Sequence, residues 1–229
     1  MDAKELRMLL AEIVDCDGDA ITRFAMRLVA YTFVRTSELI ESEWPEFDLD
    51  KARWDIPAER MKMDTPHIVP LSRQSVDVLR ALNLLTGRGR LVFPGALDKN
   101  KPMSNNTILF ALYRLGYKGR MTGHGFRGLA STILHENDFA DEHIEVQLAH
   151  LKRNKVAAAY NRARYLSQRA SMMQWSADYL DDQLAKGEQF QGSASLKRAP
   201  VHTQTAGMVQ RGSVKPRTAT HVRALKPTA

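Results

Sequence analysis

The chain has 229 residues, 44% apolar and 26% charged, enough for one medium-sized domain with a proper core and an extension. A single cysteine, Cys16, excludes an internal disulfide framework and a multi-cysteine zinc site. No stretch approaches the roughly 18 consecutive apolar residues of a membrane span, and the acidic start MDAKELRMLLAEIVDCDGD lacks the order of a secretory signal, so a reducing cytoplasm is the expected compartment.

The formal charge of +7 is unevenly placed. Residues 1–188 are neutral, with 26 basic against 26 acidic side chains. The whole excess comes from Lys197, Arg198, Arg211, Lys215, Arg217, Arg223 and Lys226 near the C-terminus. The basic character of the chain is therefore no argument that its folded part binds nucleic acid.

In chain order, residues 3–15 carry Leu6, Leu9, Leu10 and Ile13 at helical spacing, and the DGD after Cys16 ends the pattern. A second apolar run, 20–33, predicts a buried helix, and a short one is expected after Thr36. Segment 47–71 breaks into FDLD, RWDIP and HIVPL, which predicts a small antiparallel sheet. Helices follow at 72–86, with a serine as candidate cap, then at 104–115, 125–137 and 141–149. A last helix is expected from about Lys155, broken near Tyr160 and resuming through Leu184. From Gly187 onward small and polar residues dominate, a composition that predicts a disordered tail. The expected class is α+β, mostly helical with one small antiparallel sheet.

The sequence lacks a clustered acidic set spaced for Mg²⁺, a phosphate-binding GxxxxGK[ST] loop, a GxGxxG fingerprint and a GxSxG elbow. Nucleotide hydrolysis and two-metal nuclease chemistry thus have no support, and no cofactor or metal is expected. What stands out is a scatter of cationic and imidazole groups in apolar surroundings. Arg35 follows a strongly apolar run, where an isolated guanidinium is costly, and Glu38 lies three residues on. Taken alone, the two read first as a structural ion pair. His124 and Arg127 share a face at a helix start, where free backbone N–H groups favour anions. Lys62 in a turn, His67 before a proline, His150 after Leu-Ala and Tyr160 among alanines each read individually as ordinary structural residues.

Their order is more specific than any one of them. The stretches FVRTSELIESEW, PAERMKMDTPHIVPLS, TGHGFRGLASTILHE and QLAHLKRNKVAAAYNRARYL together resemble the tyrosine recombinase, or phage integrase, family, most nearly the prophage and genomic-island integrases. The resemblance spans about residues 1–184. It implies a recombinase catalytic domain over 1–187, followed by the basic tail 188–229, and implies that the family's core-binding and arm-binding domains are missing ahead of it. It further implies metal-free DNA cleavage and rejoining through a 3′-phosphotyrosine, for integration and excision of a mobile element. Arg35 and Arg127 would hold the scissile phosphate, and His124 and His150 would add hydrogen bonds or assist proton transfer. Lys62 would protonate the leaving 5′-oxygen, Tyr160 would attack phosphorus, and Glu38 would brace Arg35. The AAYNRA wording selects Tyr160 and leaves Tyr165 as a packing neighbour. The implied partners are double-stranded attachment sites, other protomers in a tetramer on DNA, and a directionality factor or host architectural protein; no membrane is involved. Two alternatives are a truncated or degenerate remnant that only binds DNA or other partners, and a type IB topoisomerase-like strand transferase.

Overall fold

The computed structural model describes residues 1–62, 64–150 and 165–196, with 188–196 described by their backbone alone. Its helices are α1 (Ala3–Asp15), α2 (Ala20–Thr32), α3 (Thr36–Ile40), α4 (Arg73–Thr86), α5 (Asn106–Arg114), α6 (Gly125–Glu136), α7 (Asp141–Gln147) and α8 (Leu166–Leu196). Its strands are β1 (Phe47–Asp48), β2 (Arg53–Ile56) and β3 (His67–Pro70), which form one antiparallel sheet in the order β1-β2-β3. The expected mostly helical α+β class is the one observed. Among the described residues no helix is long and apolar enough to cross a membrane.

Local chemistry starts the helices where the apolar periodicity does. The Asp2 side chain accepts from the Glu5 N–H while Glu5 reaches back to the Asp2 N–H, a reciprocal cap on α1. Asp19 caps α2 through Thr22, and Ser72, the serine expected from sequence, caps α4 through Ser75. In the sheet, register pairs Trp54 with Val69 and Ile56 with His67. Alternation then sends all four to the core side, and Trp54 and Val69 are fully buried.

The core has two parts. The larger joins α1, α2, α4, α5 and the sheet around Leu9, Val29, Trp54, Leu79 and Phe93. The smaller, Phe33, Ala130, Leu134, Ile144, Leu148, Met172 and Met173, is shared by α6, α7 and α8. Helix α8 spans both. Arg7 Nε donates to Gln183 Oε1 at 2.8 Å, and Tyr31 Oη donates to Asp181 at 2.6 Å. Gln74 on α4 donates to Asp178 and Asp181.

The end of α8 departs from the sequence expectation. Instead of stopping at Leu184, its backbone stays helical to Leu196, into the segment whose composition predicts a tail. Once a helix is nucleated and held by packing, extension costs little per residue, and the first proline after it is Pro200. Gly187 allows the close approach to α1: a Cβ there would lie 2.6 Å from the Arg7 carbonyl oxygen. A Gly187→Ala change gains up to about 1 kcal/mol of helix propensity, whereas forcing a methyl against backbone costs about 1–3 kcal/mol. The expected outcome is a net loss on the order of 1 kcal/mol, seen as a lower urea midpoint. An unchanged or raised midpoint would show that α8 separates from α1 without penalty.

Candidate active site

Arg127, in the first turn of α6, is only 3% exposed. Its guanidinium is held by the last carbonyls of two other helices. Nη1 donates to Phe33 O, at the end of α2, and Nη2 donates to Leu148 O, at the end of α7, at 2.5 Å. Terminal helix carbonyls lack intrahelical partners and carry the negative end of the helix dipole, so they suit a buried cation. Both helix ends turn sharply where this happens. Phe33 and Ala149 adopt left-handed backbone with φ of 59° and 50°, a conformation costly to residues bearing a Cβ. Burial lowers the Arg127 pKa, and the neighbouring charge of Arg35 lowers it further, while Glu38 opposes both. The Arg127 Nε–H is buried and has no partner among the described residues.

Arg35 sits between α2 and α3. Its side chain is 26% exposed and pairs with Glu38, whose Oε1 accepts from Nη1 at 2.5 Å and whose Oε2 accepts the Arg35 backbone N–H at 2.8 Å. Glu38 is itself buried. The pair is therefore structural in geometry and still leaves the arginine partly open.

The loop bearing His124 packs onto the same place. A Cβ on Gly123 would come within 2.3 Å of the Thr36 hydroxyl, so that loop lies directly against the start of α3. His124 is exposed beside it, immediately before the first turn of α6. Lys62 is exposed in the β2–β3 connection. Two residues earlier, Arg60 fastens that connection to α3: its Nη1 donates to Glu41 O at 2.8 Å and Glu46 Oε1 at 2.7 Å, and its Nη2 donates to Glu38 O.

His150 follows α7 and touches Arg127 directly, with Nε2 3.3 Å from Arg127 Nη2. Its Nδ1 lies 3.3 Å from Glu145 Oε1. One neutral tautomer satisfies both contacts: Nδ1–H donates to Glu145, and Nε2 accepts from Arg127. Tyr165 is engaged elsewhere, its hydroxyl donating to Glu142 and its ring 4.6 Å from His143. Tyr160 lies outside the described residues.

The fold thus gathers Arg35, Glu38, Arg127 and His150 in direct or linked contact and brings the segments of Lys62 and His124 against α3. Sequence reasoning leaves out Glu145, Arg60 and, above all, a buried polar set of His67, Gln147 and Arg169. Arg169 is fully buried, and Gln147 is nearly so. The signal was periodicity: Arg169 falls on the same face of α8 as Met172, Met173, Ser176 and Leu180, where an apolar residue belongs. His67, left without a role by its sequence context, is buried, and its Nε2–H donates to Gln147 O at 3.2 Å.

This fold is shared with solved recombinases. The integrase from mycobacterium phage Brujita superposes with a TM-score of 0.57 at 16% identity, over 76% of this chain and 60% of that one. The XerA recombinase superposes at 0.51 with 17% identity, over 86% of this chain and 63% of that one. In sequence, the profile of the phage integrase family matches residues 1–166. The integrase of Enterobacteria phage P4 is 45% identical over 188 residues, covering 75% of this chain. A prophage integrase of Escherichia coli K12 is 44% identical over 147 residues, covering 64% of this chain. The chain belongs to the phage integrase family. It spans 43% and 36% of the lengths of those two curated relatives.

The buried imidazole of His67 makes stability depend on pH. Desolvation, then the charge of Arg169, pushes its pKa down to about 3; the hydrogen bond to Gln147 opposes this, and Arg127 and Arg35 add to it. In the unfolded chain a histidine takes up a proton near pH 6.5, while the folded one stays neutral. The resulting stability is complete above about pH 6.5 and falls as pH drops toward 3, by up to about 1.4 kcal/mol per pH unit. Urea midpoints at pH 7 and pH 5 are expected to differ less in His67→Gln than in the wild type. An equal difference would remove His67 as the source.

Proposed function

We propose that this chain is the catalytic domain of a tyrosine recombinase, cutting and rejoining DNA through a 3′-phosphotyrosine at Tyr160. The observation that carries this is the seating of Arg127: a buried guanidinium fixed by two helix ends, in contact with His150 and with an Nε–H that has no partner among the described residues. A planar fork already held in place is suited to the non-bridging oxygens of a phosphodiester. Arg35, oriented by Glu38 and partly exposed, supplies the second cation.

In this mechanism Tyr160 attacks the scissile phosphorus. A phenol with a pKa of about 10 is a weak nucleophile, and the cationic site favours its phenolate. Its proton passes to a histidine. His150, with Nδ1–H on Glu145 and Nε2 as the basic nitrogen, is arranged as a base with its orienting carboxylate, and His124 assists at the phosphate. The bond from phosphorus to the 5′-oxygen breaks as that of the tyrosine forms, and Lys62 delivers the proton that turns the leaving alkoxide into a 5′-hydroxyl. Arg35 and Arg127 offset the charge gathering on the phosphate. One phosphodiester replaces another, so the step needs no external energy and reverses when a 5′-hydroxyl of the same or another strand attacks.

The substrate is double-stranded DNA at the attachment sites of a prophage or genomic island. The working complex is a tetramer of protomers on two duplexes, in the bacterial cytoplasm, with a directionality factor or host architectural protein as further partners. The family membership and the integrase names of the relatives support this assignment. The engagement of Tyr165 by Glu142 and His143 agrees with the choice of Tyr160 as nucleophile.

The test is a pool of nicked suicide duplexes of randomised sequence. Wild-type chain is expected to give a denaturation-resistant protein–DNA adduct that Tyr165→Phe retains and Tyr160→Phe abolishes. Arg35→Ala is expected to slow adduct formation by about 10²–10³-fold. An adduct that survives Tyr160→Phe would overturn the assignment of the nucleophile. No adduct from the wild type would favour the DNA-binding remnant.

A further inference from the structure

Behind Arg127 lies a second buried guanidinium, Arg169 on α8. Its Nε and Nη2 donate to Gln147 Oε1 at 3.1 and 2.7 Å, and Nη2 also donates to Ile68 O on β3 at 2.5 Å. The Gln147 amide Nε2 donates in turn to Thr32 O at 3.1 Å. These partners have a definite relation to Arg127. Thr32 and Gln147 are the last residues of α2 and α7, and the next residue of each, Phe33 and Leu148, provides a carbonyl that holds Arg127. Gln147 therefore ties the two helix ends together one residue before each meets the arginine, and Arg169 clamps Gln147 to the sheet and to α8.

A charged side chain in this position is expensive. Burial alone pushes the Arg169 pKa down to about 10, and its Nη1 is buried with no partner among the described residues. An apolar residue of similar volume would fill the same space between α7, α8 and β3 without that cost. What it could not do is fix the rotamer of Gln147 and the spacing of two carbonyls. We propose that Arg169 and Gln147 are positioning residues for Arg127, holding the ends of α2 and α7 at the separation its guanidinium requires. This rests on the assignment of Arg127 to the scissile phosphate, where misplacement by about 1 Å is enough to cost on the order of 100-fold in rate.

The test separates geometry from activity. Arg169→Met keeps most of the stem and removes the three hydrogen bonds; Leu180→Ala, on the same face of α8, destabilises the core without touching Gln147. Exchange of the Arg127 Nε–H, identified by its disappearance in Arg127→Lys, is read by nitrogen-15 NMR. Adduct formation is read on the randomised nicked duplexes at saturating DNA. Arg169→Met is expected to speed the exchange at least tenfold and slow the adduct at least tenfold, with half-saturation by DNA unchanged. Arg169→Lys, able to reach one acceptor, is expected to fall between, and Leu180→Ala to match the wild type in both. Exchange in Arg169→Met no faster than in Leu180→Ala would overturn the proposal. If Arg169→Met does not fold, wild-type exchange in Arg169→Lys overturns it. A wild type that makes no adduct would sink the cleavage assignment alone, and the exchange comparison would still decide whether Arg169 positions Arg127.

Discussion

The structure turns on the burial of one guanidinium. Arg127 is almost out of solvent, and the energetic penalty is met by directing the unpaired carbonyls of two helix ends at it. Satisfying Arg127 requires α2 and α7 to finish at the same point, and requires Phe33 and Ala149 to take left-handed backbone to turn away from it. The smaller core then closes around those turns, with Phe33 and Leu148 both belonging to it.

The other described residues proposed to act on phosphate are attached to that point by short links. Arg35 leads out of α2 and is fixed by Glu38 on α3. Arg60 secures the connection of Lys62 to α3, Gly123 packs the loop of His124 on Thr36, and His150 leaves α7 in contact with Arg127. The site is thus assembled from loops and helix ends, each tied to the rigid framework within a residue or two. Helix α8 acts as the brace. It lies along α1, is tied by side-chain hydrogen bonds to the first turn of α4, and through Arg169 reaches the bond between the two critical helix ends.

Much of the fold was legible because periodicity and capping agree. Ser72 begins α4 where expected, and the alternation around Trp54 and Val69 builds the sheet. The far end of α8 was not legible, since composition argues against order from Gly187 whereas packing against α1 carries the helix on. In the site, the cations and histidines stood out through motif order, but their supports did not. Gln147, a polar residue at the end of a short helix, carries no local sign of burial. Its burial depends on Thr32, His67 and Arg169, which lie 115, 80 and 22 residues away along the chain.

By itself the sequence determined the class of fold and the family, because apolar spacing and an ordered series of short motifs are properties of the linear chain. Its motif order also singled out the side chains proposed to act on a phosphate. Only the tertiary structure decided that Arg35 is braced and partly open while Arg127 is buried, that His150 faces Arg127 through one nitrogen and Glu145 through the other, and that Arg169 stands behind them. Those facts depend on where carbonyls from separate helices converge. No local pattern encodes that convergence, since the cost of a buried charge is decided by partners far away in the chain.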